Sequence, residues 1–179
     1  MNDPLPLAPA PELIFGLVGP IGVDLELVTD LLSEALRDVA YNVTTLRITQ
    51  LMREVPTETV ICERPHIESF RSRIQYANRV CELLKRSDAL AILAISAIRE
   101  VRRQESGDPE KPLESRAYII RQFKRPSEIK LLRSVYGRQF VQISIYAPQK
   151  YRIDHIAADE RASRGGLIDL LPNFPPVIS

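Results

Sequence analysis

The sequence predicts an α/β domain with a parallel five-stranded sheet and helices on both faces. The pattern of apolar residues along the chain supports this prediction. Short apolar runs alternate along the chain with longer segments whose apolar residues recur at helical spacing. Such alternation is typical of a parallel sheet, because each helix returns the chain to the edge where the next strand begins.

The strands and helices are predicted from these runs in chain order. The five strands are predicted at 13–18, 41–48, 88–95, 117–121 and 140–146. Four helices are predicted at 24–40, 71–85, 126–136 and 149–162. The third run is almost entirely apolar, which favours a central strand covered on both faces.

Length and charge exclude several classes of protein. The chain has 179 residues, enough for one domain with a buried core. A formal net charge of +1 predicts no direct binding to nucleic acid or to membranes. Two cysteines, Cys62 and Cys81, cannot build a disulfide framework. Since no signal peptide or membrane-length apolar run is visible, we expect a cytoplasmic protein.

The chain divides into three predicted parts. Residues 1–11 read as a flexible, proline-rich leader, and 164–179 as a proline-rich tail or linker. Residues 12–163 form the domain, in which a charged stretch at about 100–115 is predicted to be a mobile insertion.

The turn after the first strand is the strongest local feature, with the sequence GLVGPIGVD at positions 16–24. Glycines there let backbone N–H groups approach an anion at the start of the following helix. This arrangement is typical of P-loop kinase-like domains. The residues predicted to bind phosphate in this turn are Gly19, Pro20, Ile21, Gly22, Val23 and Asp24.

The turn departs from the full P-loop signature at two positions. Lysine and then serine or threonine should follow the last glycine, but Val23 and Asp24 stand there. Valine cannot neutralise a phosphate, and aspartate either repels it, reaches a Mg²⁺ ion or caps the helix. We therefore expect nucleotide binding without catalytic residues in this chain. The alternative is that the glycines serve packing alone.

Three cations lie at or just past the end of the fourth predicted strand and are predicted to supply charge to the phosphate: Arg121, Lys124 and Arg125. A solvated basic turn is the alternative. Asp88 is interpreted as a turn or cap residue. Arg99, Arg102 and Arg103 are interpreted as an exposed face or as a lid over phosphate.

A zinc site is not expected. His66 and Glu68 match half of a zinc deaminase motif, but neither cysteine has the partner that the other half requires. We predict no metal ligands and no serine–histidine–acid set, since the chain has only two histidines.

Several segments resemble a known family. They are ELIFGLVGPIG at 12–22, SDALAILA at 87–94, AYIIRQFKRPSE at 117–128, LLRSVYG at 131–137, and the stretch 140–152. Together they resemble the N-terminal P-loop kinase-like domain of bacterial anti-phage dCTP deaminases. The most specific part is Arg-x-x-Lys-x-Pro followed by Leu-Arg-x-x-Tyr-Gly.

The resemblance implies a role in antiviral defence. In that family the domain precedes a zinc-dependent deoxycytidylate deaminase domain, which depletes deoxycytidine nucleotides during infection. The present chain carries no deaminase motif, so the activity does not carry over. The resemblance implies a regulatory domain that binds a nucleoside triphosphate or deoxynucleotide, with Mg²⁺. The implied partners are a deaminase domain or partner protein and a second copy of the chain.

Two other functions remain open. One is a deoxynucleotide kinase-like enzyme in which Lys124 or Arg125 does the work of the missing lysine. The other is a scaffold that binds no nucleotide. Its apolar tail would pack on a partner through Leu167, Ile168, Leu170, Leu171 and Phe174.

Overall fold

The computed structural model describes residues 10–62 and 66–160, which form a parallel sheet flanked by helices. The predicted tail at 164–179, and the leader apart from its last two residues, lie outside the described residues. The strands are β1 (Leu13–Val18), β2 (Asn42–Arg47), β3 (Arg116–Phe123) and β4 (Phe140–Ser144), and their order across the sheet is β2-β3-β1-β4.

The helices of the described residues include the four predicted ones and two that were not predicted, the second and the fourth. They are α1 (Leu25–Asp38), α2 (Ile48–Leu51), α3 (His66–Leu83), α4 (Ala89–Ser106), α5 (Pro126–Tyr136) and α6 (Gln149–Glu160). A 3₁₀ turn, Met52–Glu54, follows α2. A second one, Gly137–Gln139, joins α5 to β4.

The prediction of five strands was wrong, because the apolar run at 88–95 is the start of α4. Three alanines in this run favour a helix, and a fully apolar run has no periodicity that separates the two structures. The buried residues of the helix recur at helical spacing beyond the run, at Ala94, Ile98 and Arg102. Residues 100–106, predicted to lie in the insertion, are therefore the last turns of α4.

Helices cover both faces of the sheet, as predicted. Side chains alternate along β3, so that Tyr118 and Ile120 face one core while Ala117 and Ile119 face the other. The first core is completed by α2, α3, α4 and α5. The second is completed by α1.

A buried ion pair lies at the amino end of the sheet. Glu12, just before β1, is bound through both carboxylate oxygens by Arg102 of α4, and the Nε–Oε2 distance is 3.2 Å. The backbone N–H of Leu113 donates to the same Oε2 atom at 2.9 Å. The side chains of Glu12 and Arg102 are 0% and 8% exposed. Arg102 therefore does not form a lid at the carboxyl end.

The carboxyl ends of all four strands lie at the opposite edge, since the strands are parallel. At this edge β3 contains a bulge beside β1. Leu17 pairs with Arg121 and Val18 with Phe123, which leaves Gln122 without a partner in β1. Gln122 has a φ of 80°, a left-handed conformation that glycine adopts more readily.

No helix among residues 10–62 and 66–160 combines the length and the apolar character needed to span a membrane.

Candidate functional site

The glycine turn joins β1 to α1 at the carboxyl edge of the sheet, as the sequence predicts. Asp24 caps α1, and its Oδ1 atom accepts a hydrogen bond from the Leu27 N–H at 2.8 Å. Gly22 has a φ of 87°, which requires glycine or costs about 1–2 kcal/mol for another residue. Local backbone geometry therefore explains both residue types, glycine at 22 for the positive φ and aspartate at 24 for the helix cap.

Helix α6 lies against the turn and gives Gly22 a second reason to be glycine. A Cβ atom at Gly22 would lie 2.6 Å from the carbonyl oxygen of Arg152 and 2.8 Å from its Cβ. The Arg152 Nη1 atom donates to the Ile21 carbonyl at 3.2 Å. Packing against α6 accounts for this glycine without a phosphate, so Gly22 alone does not identify a binding site.

Lys124 supports the turn from β3. Its Nζ atom donates to the Gly19 carbonyl at 2.9 Å. Burial of the amine among protein atoms lowers the pKa of Lys124 to about 8. The nearby Glu128 carboxylate acts in the opposite direction. Solvent still reaches the residue, which is exposed overall, so water screens part of this effect.

Glu128 binds the backbone at Lys124 and Arg125. Its Oε2 atom accepts the N–H groups of Lys124 and Arg125, each at 2.9 Å. The carboxylate is fully buried, and burial raises the pKa of Glu128. Its other oxygen has no hydrogen-bond partner among the described residues.

Arg125 points away from the turn. Its Nη2 atom donates to Asn78 Oδ1 at 2.6 Å, and the residue lines a separate depression of about 300 Å³. Arg121 stays at the turn, where its Nη1 atom lies 3.1 Å from Glu26 Oε2 in the first turn of α1. Only two of the three predicted cations, Arg121 and Lys124, therefore lie beside the turn.

A cleft of about 440 Å³ opens beside the first turn of α1. We refer to it as the α1 cleft. Four parts of the chain line it: the glycine turn and α1, helix α3, the bulge of β3, and helix α6. The residues are Gly22, Val23, Asp24, Leu25, Glu26, Phe70, Arg73, Arg121, Gln122, His155 and Ile156.

The charges of the α1 cleft are mixed. Arg73 and Arg121 contribute two cations, and Asp24 and Glu26 contribute two carboxylates. The Nη1 atom of Arg121 is buried and outside hydrogen-bond geometry with any described acceptor, despite its ion pair with Glu26. His155 lies with its Nε2 atom 3.5 Å from Asp24 Oδ2.

An apolar cluster underlies the same cleft. Ile21 of the turn and Ile156 of α6 are almost inaccessible, and Phe70 and Ile74 of α3 pack against them. Phe70 and Ile156 of this cluster give the α1 cleft a small apolar, partly aromatic part, while most of its surface is polar.

The structure brings together part of the predicted site. Gly22, Val23, Asp24 and Arg121 line the α1 cleft. Gly19 and Ile21 form the turn behind it, where their carbonyls accept from Lys124 and Arg152. Pro20 lies in the same turn.

Sequence reasoning missed the residues that α3 and α6 contribute, namely Phe70, Arg73, His155 and Ile156, and it missed Gln122. A glutamine between strand residues carries no sign of a bulge. His155 was noted only as a lone histidine on the last helix, because nothing local to the sequence places that helix against the turn.

Other charged candidates have structural partners. Asp88 stands at the N-cap of α4 but forms no capping bond, and its two oxygens accept from Arg86, each at 2.8 Å. Arg103 pairs with Glu100 on the same helix. Within the described ranges, no group of three or more histidine, cysteine, aspartate or glutamate side chains is placed to hold a metal ion.

Comparisons with known proteins identify no family. No family model matches the chain, and no curated protein matches it. The chain is similar to a solved structure described as the crystal structure of APE1195, with 13% sequence identity and a TM-score of 0.44. That similarity covers 92% of this chain and 75% of the other. At this level it carries no argument about fold family or function.

Proposed function

We propose that this chain is a nucleotide-binding regulatory module whose ligand occupies the α1 cleft. The observation that carries the proposal is the position of this cleft. It lies at the carboxyl end of a parallel sheet, where open α/β folds bind their ligands. There it faces the first turn of α1 and the side chains of Arg73 and Arg121.

We also propose that the domain is of the P-loop kinase-like class. The glycine turn between β1 and α1 supports this, as does the placement of β1 between β3 and β4. The missing lysine after Gly22 argues against fast phosphoryl transfer. Among the described residues no lysine lines the α1 cleft. The domain is therefore proposed to bind a nucleotide rather than to convert it.

A phosphate contact would come from Arg121. The buried Nη1 atom of Arg121 has hydrogen-bonding capacity that no described acceptor uses. A phosphate in the cleft would satisfy it with a charge-assisted bond. The resemblance to anti-phage deaminases makes deoxycytidine nucleotides the first ligands to test. The biological setting we propose is a cytoplasmic defence system with a deaminase domain or partner protein.

The proposal is tested by titrating deoxycytidine and other nucleotides, with and without Mg²⁺, and recording heat and thermal stability. We expect Arg121→Ala to weaken binding by about tenfold or more, the value of one charge-assisted hydrogen bond. Arg138→Ala is the matched control, since Arg138 is exposed on the 3₁₀ turn after α5.

Equal affinities for the two variants would place the ligand elsewhere. If no nucleotide binds, the result would favour the scaffold function. Phosphoryl transfer to a deoxynucleoside monophosphate, assayed in the same samples, would instead support a kinase.

A further inference from the structure

We infer that a depression between the end of α3 and the start of α5 binds the phosphate group of a small phosphorylated molecule. Its volume is about 300 Å³, and we refer to it as the α3–α5 depression. Three cations, Lys85, Arg86 and Arg125, and one carboxylate, Glu82, line it. It shares no lining residue with the α1 cleft, and the inference does not rest on the proposed function.

Two of the charged residues of the depression have partners outside it. Both oxygens of Asp88 accept from Arg86, each at 2.8 Å, so the charge of Arg86 is balanced. The Oε2 atom of Glu82 lies 3.1 Å from Nη1 of Arg79, which also contacts Glu58. Glu82 is therefore directed at Arg79 and offsets only part of the positive charge of the depression.

Lys85 and Arg125 supply the positive charge that remains. The side chain of Lys85 forms no ion pair or hydrogen bond with any described residue. The guanidinium of Arg125 binds two neutral oxygens, Asn78 Oδ1 at 2.6 Å and the Ser87 carbonyl at 3.5 Å. These acceptors hold the guanidinium in place without cancelling its charge. A phosphate monoester carries a charge of about −1.5 to −2 at neutral pH and can contact both cations through its three terminal oxygens.

The backbone at the end of α3 places Lys85 at this depression. The N–H groups of Lys85 and Arg86 donate to the carbonyls of Glu82 and Cys81, each at 3.0 Å. In this Schellman arrangement glycine is the usual residue at the position of Lys85, which has a φ of 51°. A lysine here accepts backbone strain and adds a cation, and strain of this kind clusters at ligand sites. The carbonyls of Glu82 and Cys81 are already bonded, so they do not compete for the cations.

Two helices also begin beside the depression. Helix α4 begins at Ala89, two residues after Ser87, and α5 begins at Pro126, directly after Arg125. The Ser127 hydroxyl donates to the Ser87 carbonyl at 3.1 Å, which joins the two helix starts. The amino end of a helix carries partial positive charge, so both helices add to the attraction of an anion.

The test is an NMR titration of the ¹⁵N-labelled protein with glycerol 3-phosphate at constant ionic strength. Acetate and glycerol are the comparison ligands, one with a single charge and one with none. We expect saturable shifts of the backbone amides at 84–90 and 124–128. Glycerol 3-phosphate should bind at least about fivefold more tightly than acetate, and glycerol should cause no shifts.

The decisive variant is Lys85→Gly, which removes one cation and relaxes the left-handed backbone, so that it should fold at least as well as wild type. We expect its affinity for glycerol 3-phosphate to fall at least about fivefold. Lys111→Gly is the matched control. It removes the same charge from an exposed residue outside the depression and should retain the affinity.

The position of the shifts separates this inference from the proposed function. Equal affinities in Lys85→Gly and Lys111→Gly, or no saturable shift at 84–90 and 124–128, would overturn the inference. Shifts confined to 22–27 and 121–122 that Arg121→Ala abolishes would also overturn it, and would support the proposed function. Shifts at both places, each lost only in its own variant, would support both.

Discussion

The Nζ atom of Lys124 lies 2.9 Å from the carbonyl oxygen of Gly19, across 105 residues of sequence. This contact anchors the glycine turn to the end of β3. It directs the lysine to a backbone acceptor rather than into the α1 cleft, of which Lys124 is not a lining residue. Lys124 is thus a positioning residue of the turn.

Lys124 should be the most reactive of the described lysines near pH 8. Its pKa is lowered to about 8, mainly because surrounding protein atoms displace water from the charged form. A lowered pKa leaves more neutral, nucleophilic amine at a given pH. Limited acylation followed by mass spectrometry should find Lys124 modified before the other lysines. Its labelling rate should level off above about pH 8.

Lys130, on an exposed position of α5, is the internal control. Equal labelling of Lys124 and Lys130 at pH 8 would contradict the assignment of a perturbed amine.

Gly22→Ala should destabilise the protein more than Gly107→Ala. Both glycines have a left-handed φ, 87° and 79°, so the backbone cost is about the same, roughly 1 kcal/mol. The new Cβ at Gly22 would lie 2.6 Å from the Arg152 carbonyl oxygen, whereas a Cβ at Gly107 would meet no described atom within 4 Å apart from its own chain neighbours and helix.

We expect the excess loss in Gly22→Ala to be about 1–3 kcal/mol, because α6 must move. Chemical denaturation measures the two unfolding free energies. Matching losses in the two variants would show that α6 does not press on the turn.

Arg102→Met should cost about 3–5 kcal/mol of unfolding free energy, because it leaves the Glu12 carboxylate buried without its cation. Arg103→Met is the neighbouring control. Arg103 forms an exposed pair with Glu100, and exposed pairs contribute about 0–1 kcal/mol.

The double variant Glu12→Leu with Arg102→Met should recover much of that loss, because no charge is left buried. A loss in the double variant equal to that in Arg102→Met would locate the effect in packing rather than charge. The Arg102 guanidinium also lies 5.9 Å from the centre of the Tyr136 ring, so both variants that carry Arg102→Met lose this contact as well.

Asp24→Ala should lower the unfolding free energy by about 1 kcal/mol, because the α1 cap is lost. Asp24→Asn should retain most of that free energy, because asparagine also caps helices. If the nucleotide is repelled by this carboxylate, Asp24→Asn should also bind it more tightly. Titration of both variants with a deoxynucleoside monophosphate measures the two effects separately.

The elements that the sequence predicts well are those with local signals. Helix α5 begins at Pro126 and ends before Gly137, as predicted, because proline fits the first helical turn and glycine fits its end. Strands β1 and β4 follow short apolar runs, and the capping role of Asp24 needs only the next three residues.

The features that the sequence does not predict depend on distant contacts. Helix α4 begins with an apolar run that fits a strand equally well, and only its packing against the sheet distinguishes the two. Arg121 stays at the glycine turn, whereas Arg125 points away from it because of the path that the chain takes after β3. The placement of α6 against Gly22 likewise has no signal within either segment.

The position of α6 after the last strand has a consequence for biosynthesis. The turn and α1 emerge from the ribosome before α6, and the wall containing His155 and Ile156 belongs to α6. A nascent chain that stops before residue 149 can pair all four strands and still lack a closed cleft. We therefore expect ligand binding to begin only after the sheet has assembled. A ligand present during translation would then select chains that already contain α6 rather than guide the folding of shorter ones.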